Sequence, residues 1–479
     1  MADGRAQGKI LSERRIKNLI GSASLFKSMT DSLTRIPSFH ATSRVSLKQI
    51  EQNTLTKWIG LQPNERQNTS NAHAFTVAPY TSPLSFAVGV LKIKDRLLSP
   101  LYLSPEAIID RYNFSDFFDV EQLYRTGFRI NKEKELVIID TKAIETQRNV
   151  LGDVAKQFTM ALFTGKELSS VSLPIKIMEP ASELTAYSRL LSNIKMLELA
   201  SKAAAPLDKF KYVISYACSS LYYSINYYKP MNAYLGETAQ GFFADGSEFF
   251  SEKINHNPPM CAFYITNEEL NFKLSFKMEG GFDMSSNEIK TFFKGIVHVN
   301  LAGQNIYFTL PNMWARGILY GKNITGFEGY FYFHYPQAQL KAFVRVGNSS
   351  RADALEGAIL ESNESVCTER GKFASNLFSN PKQKLASIDK LTCPITGGFT
   401  EHLTIDGEEL WNTNHKTYRL NFSEDALPSD WRFREDLLWM LYGDLDQAQD
   451  WKLKLEATQR EYRKKREAVA KARNPRSTK

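Results

Sequence analysis

The chain has 479 residues, 43% apolar and 12% aromatic, with a formal net charge of +8. That composition supports a large packed core and excludes general disorder, while the length suits about three average domains or one large β fold with additions. Cys218, Cys261, Cys367 and Cys393 are scattered without CxxC spacing, which argues against a disulfide framework or a zinc site and fits a reducing compartment.

The charge is uneven. Residues 1–50 hold nine Lys/Arg against three acids and residues 452–479 hold eleven against three, so residues 51–451 sum to −6. Basic ends suit an anionic surface, either membrane or nucleic acid, or are simply solvated. The N-terminus lacks an apolar run of signal length, and the most apolar stretch, Tyr212 to Tyr228, is interrupted by Ser215, Ser219, Ser220, Ser224 and Asn226. The expectation is a cytoplasmic chain that touches organelle membranes peripherally without crossing them.

In chain order, residues 1–40 form a basic N-terminus. Within it Ile16, Leu19, Ile20, Phe26, Met29, Leu33 and Ile36 fall near helical spacing, with Arg14, Arg15, Lys17 and Lys27 interleaved. Such a helix docks on the protein's own body, lies on an anionic membrane, or acts as a mitochondrial presequence, although Asp3, Glu13 and Asp31 are atypical of the last. Residues 41–140 are an unassigned α/β region: a loop at Gln62–Asn71, strands at Phe86–Lys94 and Leu136–Asp140, and a helix at Ser104–Arg111. There Asp116-Phe117-Phe118-Asp119-Val120-Glu121-Gln122 resembles a degenerate two-phenylalanines-in-an-acidic-tract motif, which implies an endoplasmic-reticulum receptor as partner. Val120 and Gln122 depart from that motif, and Phe117 and Phe118 read better as core residues.

Residues 145–163 place Leu151, Val154, Phe158 and Leu162 on one helical face, with Gly165 as a stop. Leu173-Pro174 and Glu179-Pro180 enforce extended chain. A second helical region, Glu183 to Ser224, ends at Tyr227-Tyr228-Lys229-Pro230. From Phe242 to Val346 the pattern is strands and turns: Phe272–Phe276, Gly295–Leu301, Ile306–Leu310, Tyr330–Tyr335 and Ala342–Val346, with turns at Gly280-Gly281 and Gly303–Asn305. Residues 347–385 read as an irregular excursion and Leu427–Lys471 as helical.

Three polar clusters share one logic. Lys229 and Asn232 sit in the turn-rich KPMNAYLGE, 229–237. His256 and Asn257 sit in EKINHNPP, 252–259, where a double proline stiffens the backbone and forbids helix just before the strand-like run Cys261–Ile265. Lys452, Glu456 and Arg460, in WKLKLEATQR, project from one helical face at spacings of four. By spacing alone that trio is an intrahelical ion-pair ladder, and His256 alone is a histidine satisfied in a loop. Taken together, fixed polar groups at the edge of an apolar wall suit a ligand with a charged head and an apolar tail.

These elements, with LSSVSLPIKIMEPAS (168–182) and SDWRFREDLLWMLYGDLDQAQ running into WKLKLEATQR (429–460), stand in the order found in the ligand-binding domain of the oxysterol-binding-protein-related lipid transfer proteins. EKINHNPP matches that family's fingerprint EQVSHHPP, and KPMNAYLGE matches its KPxNxxLGE. The resemblance implies an α+β fold dominated by β: a large near-complete antiparallel β-barrel with a central lipid tunnel, an N-terminal helical lid and C-terminal helices. It implies a lipid-binding domain at 145–471, with 145–163 as lid and a basic tail at 472–479. It further implies binding of a sterol or phosphatidylserine and transfer between membranes in exchange for phosphatidylinositol 4-phosphate. Lys229, Asn232, His256, Lys452 and Arg460 match head-group positions and Glu456 the acidic position beside them. A phosphomonoester, at about −1.5 to −2 charge, demands such converging donors. Asn257 replaces the family's second His; an amide donates but carries no charge, so inositide affinity should fall by about 1–2 kcal/mol if nothing compensates. The alternative is a lipid-sensing scaffold using the same domain without efficient transfer. No GxSxG, HExxH, P-loop or dinucleotide fingerprint occurs, so no enzyme activity, cofactor or metal is expected. The tail offers no stacking platform beyond Tyr462, so no nucleic-acid partner is expected either.

Overall fold

The structure, a computed structural model, describes residue 124 and residues 127–473, apart from 165–172, 285–286, 362–390, 424–425 and 442. The elements read at 9–36, 62–71, 86–94 and 104–111, the two-phenylalanine motif and residues 474–479 lie outside the described residues. All described residues belong to one compact unit.

Strands β1 (Phe128–Ile130) and β2 (Leu136–Ile138) form a hairpin, and Asp140 then caps helix α1 (Thr141–Thr164) by accepting from the Ala143 amide at 2.9 Å. Strand β3 (Met178–Ser182) leads into α2 (Glu183–Ser188), α3 (Ile194–Lys202) and α4 (Pro206–Ser224). The region read as one long helix is thus three, divided by a 3₁₀ turn at Arg189–Leu191 and by an extended link into Pro206 at the first position of α4. Buried α4 explains the serines that interrupt its apolar run. Ser219 and Ser220 hydroxyls donate to the carbonyls of Ser215 (2.6 Å) and Tyr216 (2.8 Å), and the Asn193 amide donates to Ser219 at 2.6 Å. Each buried hydroxyl is thereby satisfied within or beside the helix. No helix among the described residues is long and apolar enough to cross a membrane.

After β4 (Lys229–Met231) the chain builds the main sheet from β5 (Thr238–Phe242), β6 (Glu248–Asn255), β7 (Met260–Asn267), β8 (Phe272–Met284), β9 (Glu288–Lys294), β10 (Val297–Leu301), β11 (Gln304–Phe308), β12 (Asn312–Arg316), β13 (Ile324–Tyr335), β14 (Leu340–Val346), β15 (Ala354–Glu361), β16 (Leu391–Gly398), β17 (His402–Ile405), β18 (Glu408–Asn412) and β19 (Asn421–Phe422). Seventeen strands, β1, β2 and β5–β19, form this one antiparallel sheet. It runs from β19 through β5–β8, divides into β9–β12 and β10–β11 branches that rejoin at β13, and continues to β18; β2 also pairs with the start of β13. Among the described residues β18 and β19 are not paired with each other, so the barrel is near-complete rather than closed. Two-residue alternation sets its inner wall: Val297, Val299 and Leu301 of β10, and Leu340, Ala342, Val344 and Val346 of β14, all join the apolar core.

Several sequence expectations need correction. Gly280-Gly281 is no turn: both residues lie inside β8, opposite Phe293 and Phe292 of β9. Residues 354–361, read as irregular, form β15 between β14 and β16, with Gly357 required because a Cβ there would lie 1.9 Å from the Phe343 carbonyl oxygen. The C-terminal helical region is two helices, α5 (Glu435–Leu441) and α6 (Leu445–Arg473), separated where Gly443 takes φ +82°.

Candidate polar site at the barrel mouth

Proline at positions 180 and 230 favours extended chain, and β3 and β4 pair in parallel, with Met178 opposite Lys229 and Ser182 opposite Met231. This brings the start of α2 beside the 229–237 loop. The Ser182 hydroxyl accepts from the Leu184 amide at 3.3 Å, which caps α2 and fixes Glu183 in its first turn. The loop is joined to β6 by the Gly236 amide, which donates to the Lys253 carbonyl at 2.9 Å, and by the Lys253 amide, which donates to the Glu237 carbonyl at 2.9 Å. Gly236 adopts φ +88°, a conformation glycine takes without strain.

The Lys229 ammonium donates to the Pro230 carbonyl at 2.9 Å and to Asn232 Oδ1 at 2.6 Å. Among the described residues no carboxylate pairs with it directly. The EKINHNPP segment is the end of β6 plus the β6–β7 turn: His256 is half-buried, Asn257 is exposed, and the Asn257–Pro258 peptide is cis. On α6, buried Lys452 holds Glu456 Oε1 at 2.5 Å. Arg460 is 50% exposed, with Nη1 4.0 Å from Glu456 Oε2. The helix thus shows the ladder that its spacing suggested, and its buried end faces the loop: the Tyr234 hydroxyl donates to the Lys452 carbonyl at 3.4 Å.

Electrostatic coupling ties the three segments together. Burial lowers the Lys229 ammonium to about 8; Lys452 and Lys253 push the same way, while Glu183 and Glu456 oppose. Burial also lowers His256, helped by Lys253 and Arg463 and opposed by Glu183 and Glu456, so its imidazole is held toward the neutral form. Lys253 was missed as a site residue although it lies within the octapeptide. It is buried in an ion pair with Glu183, and the Cys261 thiol lies 3.7 Å from Glu183 and 3.8 Å from Lys253 Nζ. Burial disfavours the Lys253 charge, but Glu183 and Cys261 outweigh it and its pKa is raised.

A second set of residues, also unseen in the sequence, holds the loop from below. Fully buried Arg434 forks onto Asp436 (2.9 and 2.7 Å), donates to the Asn232 carbonyl at 2.9 Å and to Glu237 Oε2 at 3.3 Å, and stacks 4.6 Å from the Tyr234 ring centroid. Glu237 in turn accepts from the Tyr234 amide at 2.9 Å and from the Ser182 hydroxyl. The only trace of this in the sequence is the dense charge of Asp430-Trp431-Arg432-Phe433-Arg434-Glu435-Asp436 in an otherwise apolar stretch.

Of the residues read as a lid, Leu151 and Val154 are buried, while the side chains of Phe158 and Leu162 lie outside the described set. The first half of α1 is docked: Gln147 donates to the Tyr227 carbonyl at 2.7 Å, and Arg148 to the carbonyls of Gly317 (3.1 Å) and Gly321 (2.5 Å).

Comparison with known proteins agrees with the sequence resemblance. The family model described as Oxysterol-binding protein matches residues 158–477. Oxysterol-binding protein 9 of Dictyostelium discoideum is 27% identical over 368 residues, covering 74% of this chain and 85% of that protein. Oxysterol-binding protein-related protein 3 of Homo sapiens is 27% identical over 315 residues, covering 63% of this chain and 34% of that protein, so the chain spans about a third of the human relative. Among solved structures, the Osh3 ORD of Saccharomyces cerevisiae in complex with PI(4)P has TM-score 0.51 and 23% identity, covering 66% of this chain and 84% of that one. The Osh1 ORD in complex with cholesterol has TM-score 0.54 and 17% identity, covering 74% and 89%. At these identities the structural likeness concerns the fold.

Proposed function

The chain belongs to the oxysterol-binding protein family, and from that premise we propose that it takes up a membrane lipid, a sterol or a glycerophospholipid, and carries it between membranes. The observation that carries this reading is that the 229–237 loop is hydrogen-bonded both to β6, through the Gly236 amide and the Lys253 carbonyl, and to α6, through the Tyr234 hydroxyl and the Lys452 carbonyl, so that the segments bearing Lys229, His256 and Lys452 meet at one end of an apolar barrel. Lysines and hydrogen-bonding side chains set beside an apolar wall suit an anionic head with apolar chains. In this reading Lys229 and Asn232 face the head group, Lys452 and Glu456 set the local charge, Arg460 reaches in from the rim, and 145–471 acts as one lipid-binding domain with 145–163 as its lid. The related structures bound to PI(4)P, ergosterol and cholesterol support these ligand classes. Burial of chain methylenes, about 0.8 kcal/mol each, offsets what the lipid loses on leaving a bilayer, which favours exchange over permanent trapping.

Mass spectrometry of lipids co-purifying with the full chain, followed by transfer between donor and acceptor vesicles, tests the proposal. Stoichiometric lipid with catalytic transfer is expected; binding without transfer would favour a lipid-responsive scaffold, and no lipid at all would overturn both. Phosphatidylinositol 4-phosphate is proposed as a weakly held exchange ligand because Asn257 is neutral. Asn257→His is expected to strengthen its retention several-fold below pH 6, where an exposed imidazole is charged; equal retention by both proteins would remove Asn257 from the argument.

The site also sets a pH dependence. Lys229 is cationic below about 8 and neutral above. Retention of an anionic lipid should therefore fall several-fold between pH 7 and pH 9, while retention of a neutral sterol stays level. Parallel loss of both lipids would point to barrel opening instead.

A further inference from the structure

The charged groups around the polar site pair off almost completely. Glu179 is held by Arg189 at 2.7 Å, Glu237 by Arg434 at 3.3 Å and Glu456 by Lys452 at 2.5 Å, while Glu183 forms its ion pair with Lys253. Lys229 is left over. Its ammonium meets the Pro230 carbonyl and Asn232 Oδ1, and no carboxylate among the described residues pairs with it directly.

Glu183 has both Lys229 and Lys253 in its field. Ser182, just before it, lies opposite Met231 in the parallel β3–β4 pair, which sets the start of α2 beside the strand that opens with Lys229. Of the acids acting on the Lys229 ammonium, Glu183 is the strongest, ahead of Glu456. Lys253 nevertheless takes the carboxylate, by register. Opposite it on β7 stands Cys261, which shares a face with Phe263 and Ile265, so Lys253 belongs to the apolar inner wall of the barrel. The lysine is 3% exposed and the acid 8%, and the Cys261 thiol lies against both, 3.7 Å from Glu183 and 3.8 Å from Lys253. A cation on such a wall needs a carboxylate more than Lys229 does, because Lys229 has two oxygen acceptors of its own.

That allocation decides what Lys229 can do. A buried carboxylate without a cation must find another or take up a proton. With Lys253 in place Glu183 is neutralised, and the Lys229 ammonium rests on uncharged oxygens that a phosphate displaces easily. Without Lys253, the next cation in the field of Glu183 is Lys229. Lys452 already holds Glu456, burial holds the His256 imidazole toward its neutral form, and burial likewise keeps Tyr187 and Cys261 protonated. The octapeptide shows the exchange in its sequence. Against EQVSHHPP, EKINHNPP has Lys253 for Gln and Asn257 for His, so a charge-capable group leaves the turn while a cation appears on the inner wall.

We propose that Lys253 is a positioning residue for anionic lipid: by occupying Glu183 it keeps the Lys229 ammonium open to an incoming phosphate, and so sets the preference for an anionic head over a neutral one. The inference rests on the head-group reading of Lys229.

The test compares the full chain with its Lys253→Met, Lys253→Met/Glu183→Met and Lys229→Met variants. Each takes up phosphatidylinositol 4-phosphate and cholesterol from phosphatidylcholine vesicles at about pH 7, and mass spectrometry gives the ratio retained. Lys253→Met should lower that ratio about tenfold, as for loss of a charge-assisted bond. The double variant removes both charges and should recover most of it, whereas a purely structural part for the pair would leave the double no better than the single. A second readout needs no lipid: the titration of Lys229, followed by NMR in protein with isotope-labelled lysine. Lys229 lies at about 8 in the wild type. Lys253→Met removes a cation that lowers it and bares a carboxylate that raises it. Its midpoint should therefore rise, by about tenfold or more in proton affinity, and return in the double variant. Lys253→Gln keeps a donor against Glu183 without the charge, and the same rise is expected there if Lys253→Met does not fold. No rise, or no recovery in the double variant, overturns the inference. Reduced retention of the anionic lipid in Lys229→Met with an unchanged ratio in Lys253→Met overturns it alone and leaves the head-group reading standing. Undiminished retention in Lys229→Met overturns both.

Discussion

Arg434→Met is expected to lower the unfolding free energy by about 3–5 kcal/mol, the usual cost of leaving buried partners of an ion pair uncompensated. Arg434 is 1% exposed and the carboxylates it serves, Glu237 and Asp436, are both fully buried. Its loss strands two anions and the Asn232 carbonyl at once. Urea denaturation of the full chain measures the effect, provided one transition is observed. A change below about 1 kcal/mol would mean that water or a shifted side chain replaces the guanidinium easily, and the network would lose its role as the base of the site. Arg434→Lys is the informative control, because it restores charge without the fork. It should recover only part of the loss, since one ammonium cannot meet Asp436 bidentately and reach Glu237 and Asn232 as well.

Lys229→Met should behave in the opposite way, with function lost and the fold kept. The ammonium makes hydrogen bonds only to an amide and a carbonyl oxygen among the described residues, and burial lowers its pKa to about 8. A lysine whose charge is disfavoured in the fold is removed at little cost, and stability should change by less than about 1 kcal/mol. Binding of an anionic head group should fall about 10- to 100-fold, which corresponds to the 1.5–3 kcal/mol of a lost charge-assisted bond. Uptake of a neutral sterol should persist. Undiminished retention of anionic lipid would remove Lys229 from the site. The carbonyl and amide oxygens that now hold its ammonium are weak competitors, so a phosphate has little to displace.

The two variants separate what was legible in the sequence from what was not. The octapeptide stood out because a double proline rules out helix and the following CAFYI run has strand character; the structure places it at the β6–β7 turn. The spacing of Lys452, Glu456 and Arg460 was readable because α-helix geometry alone puts them on one face. Lys253 and Glu183 were invisible as a pair, 70 residues apart, because only the β6–α2 packing brings them together. The role of Arg434 was equally silent: Asp436 is only two residues on, but the Asn232 carbonyl and Glu237, which tie it to the loop, lie about 200 residues upstream. Strand β15 was read as irregular and strands β16–β19 had no reading, for another reason. Gly357, Pro394 and Gly397-Gly398 interrupt β15 and β16, while β17, β18 and β19 span only four, five and two residues, so none shows long alternation or a continuous apolar run, and sheet pairing rather than local propensity determines them. The serine-rich α4 misleads in the other direction, because its hydroxyls are satisfied by its own backbone and by Asn193.

The bond from Arg434 to Glu237 has a consequence for synthesis. The acid is made 197 residues before the guanidinium that neutralises it. At roughly 5–20 residues per second that interval lasts about 10–40 s. Throughout it the nascent 229–237 loop carries a carboxylate destined for burial without the guanidinium that bonds both to it and to the Asn232 carbonyl. The 229–237 loop is therefore completed only after all the strands of the barrel have been made. A chain stopped before Arg434 would have its barrel strands already made and its 229–237 loop still unanchored.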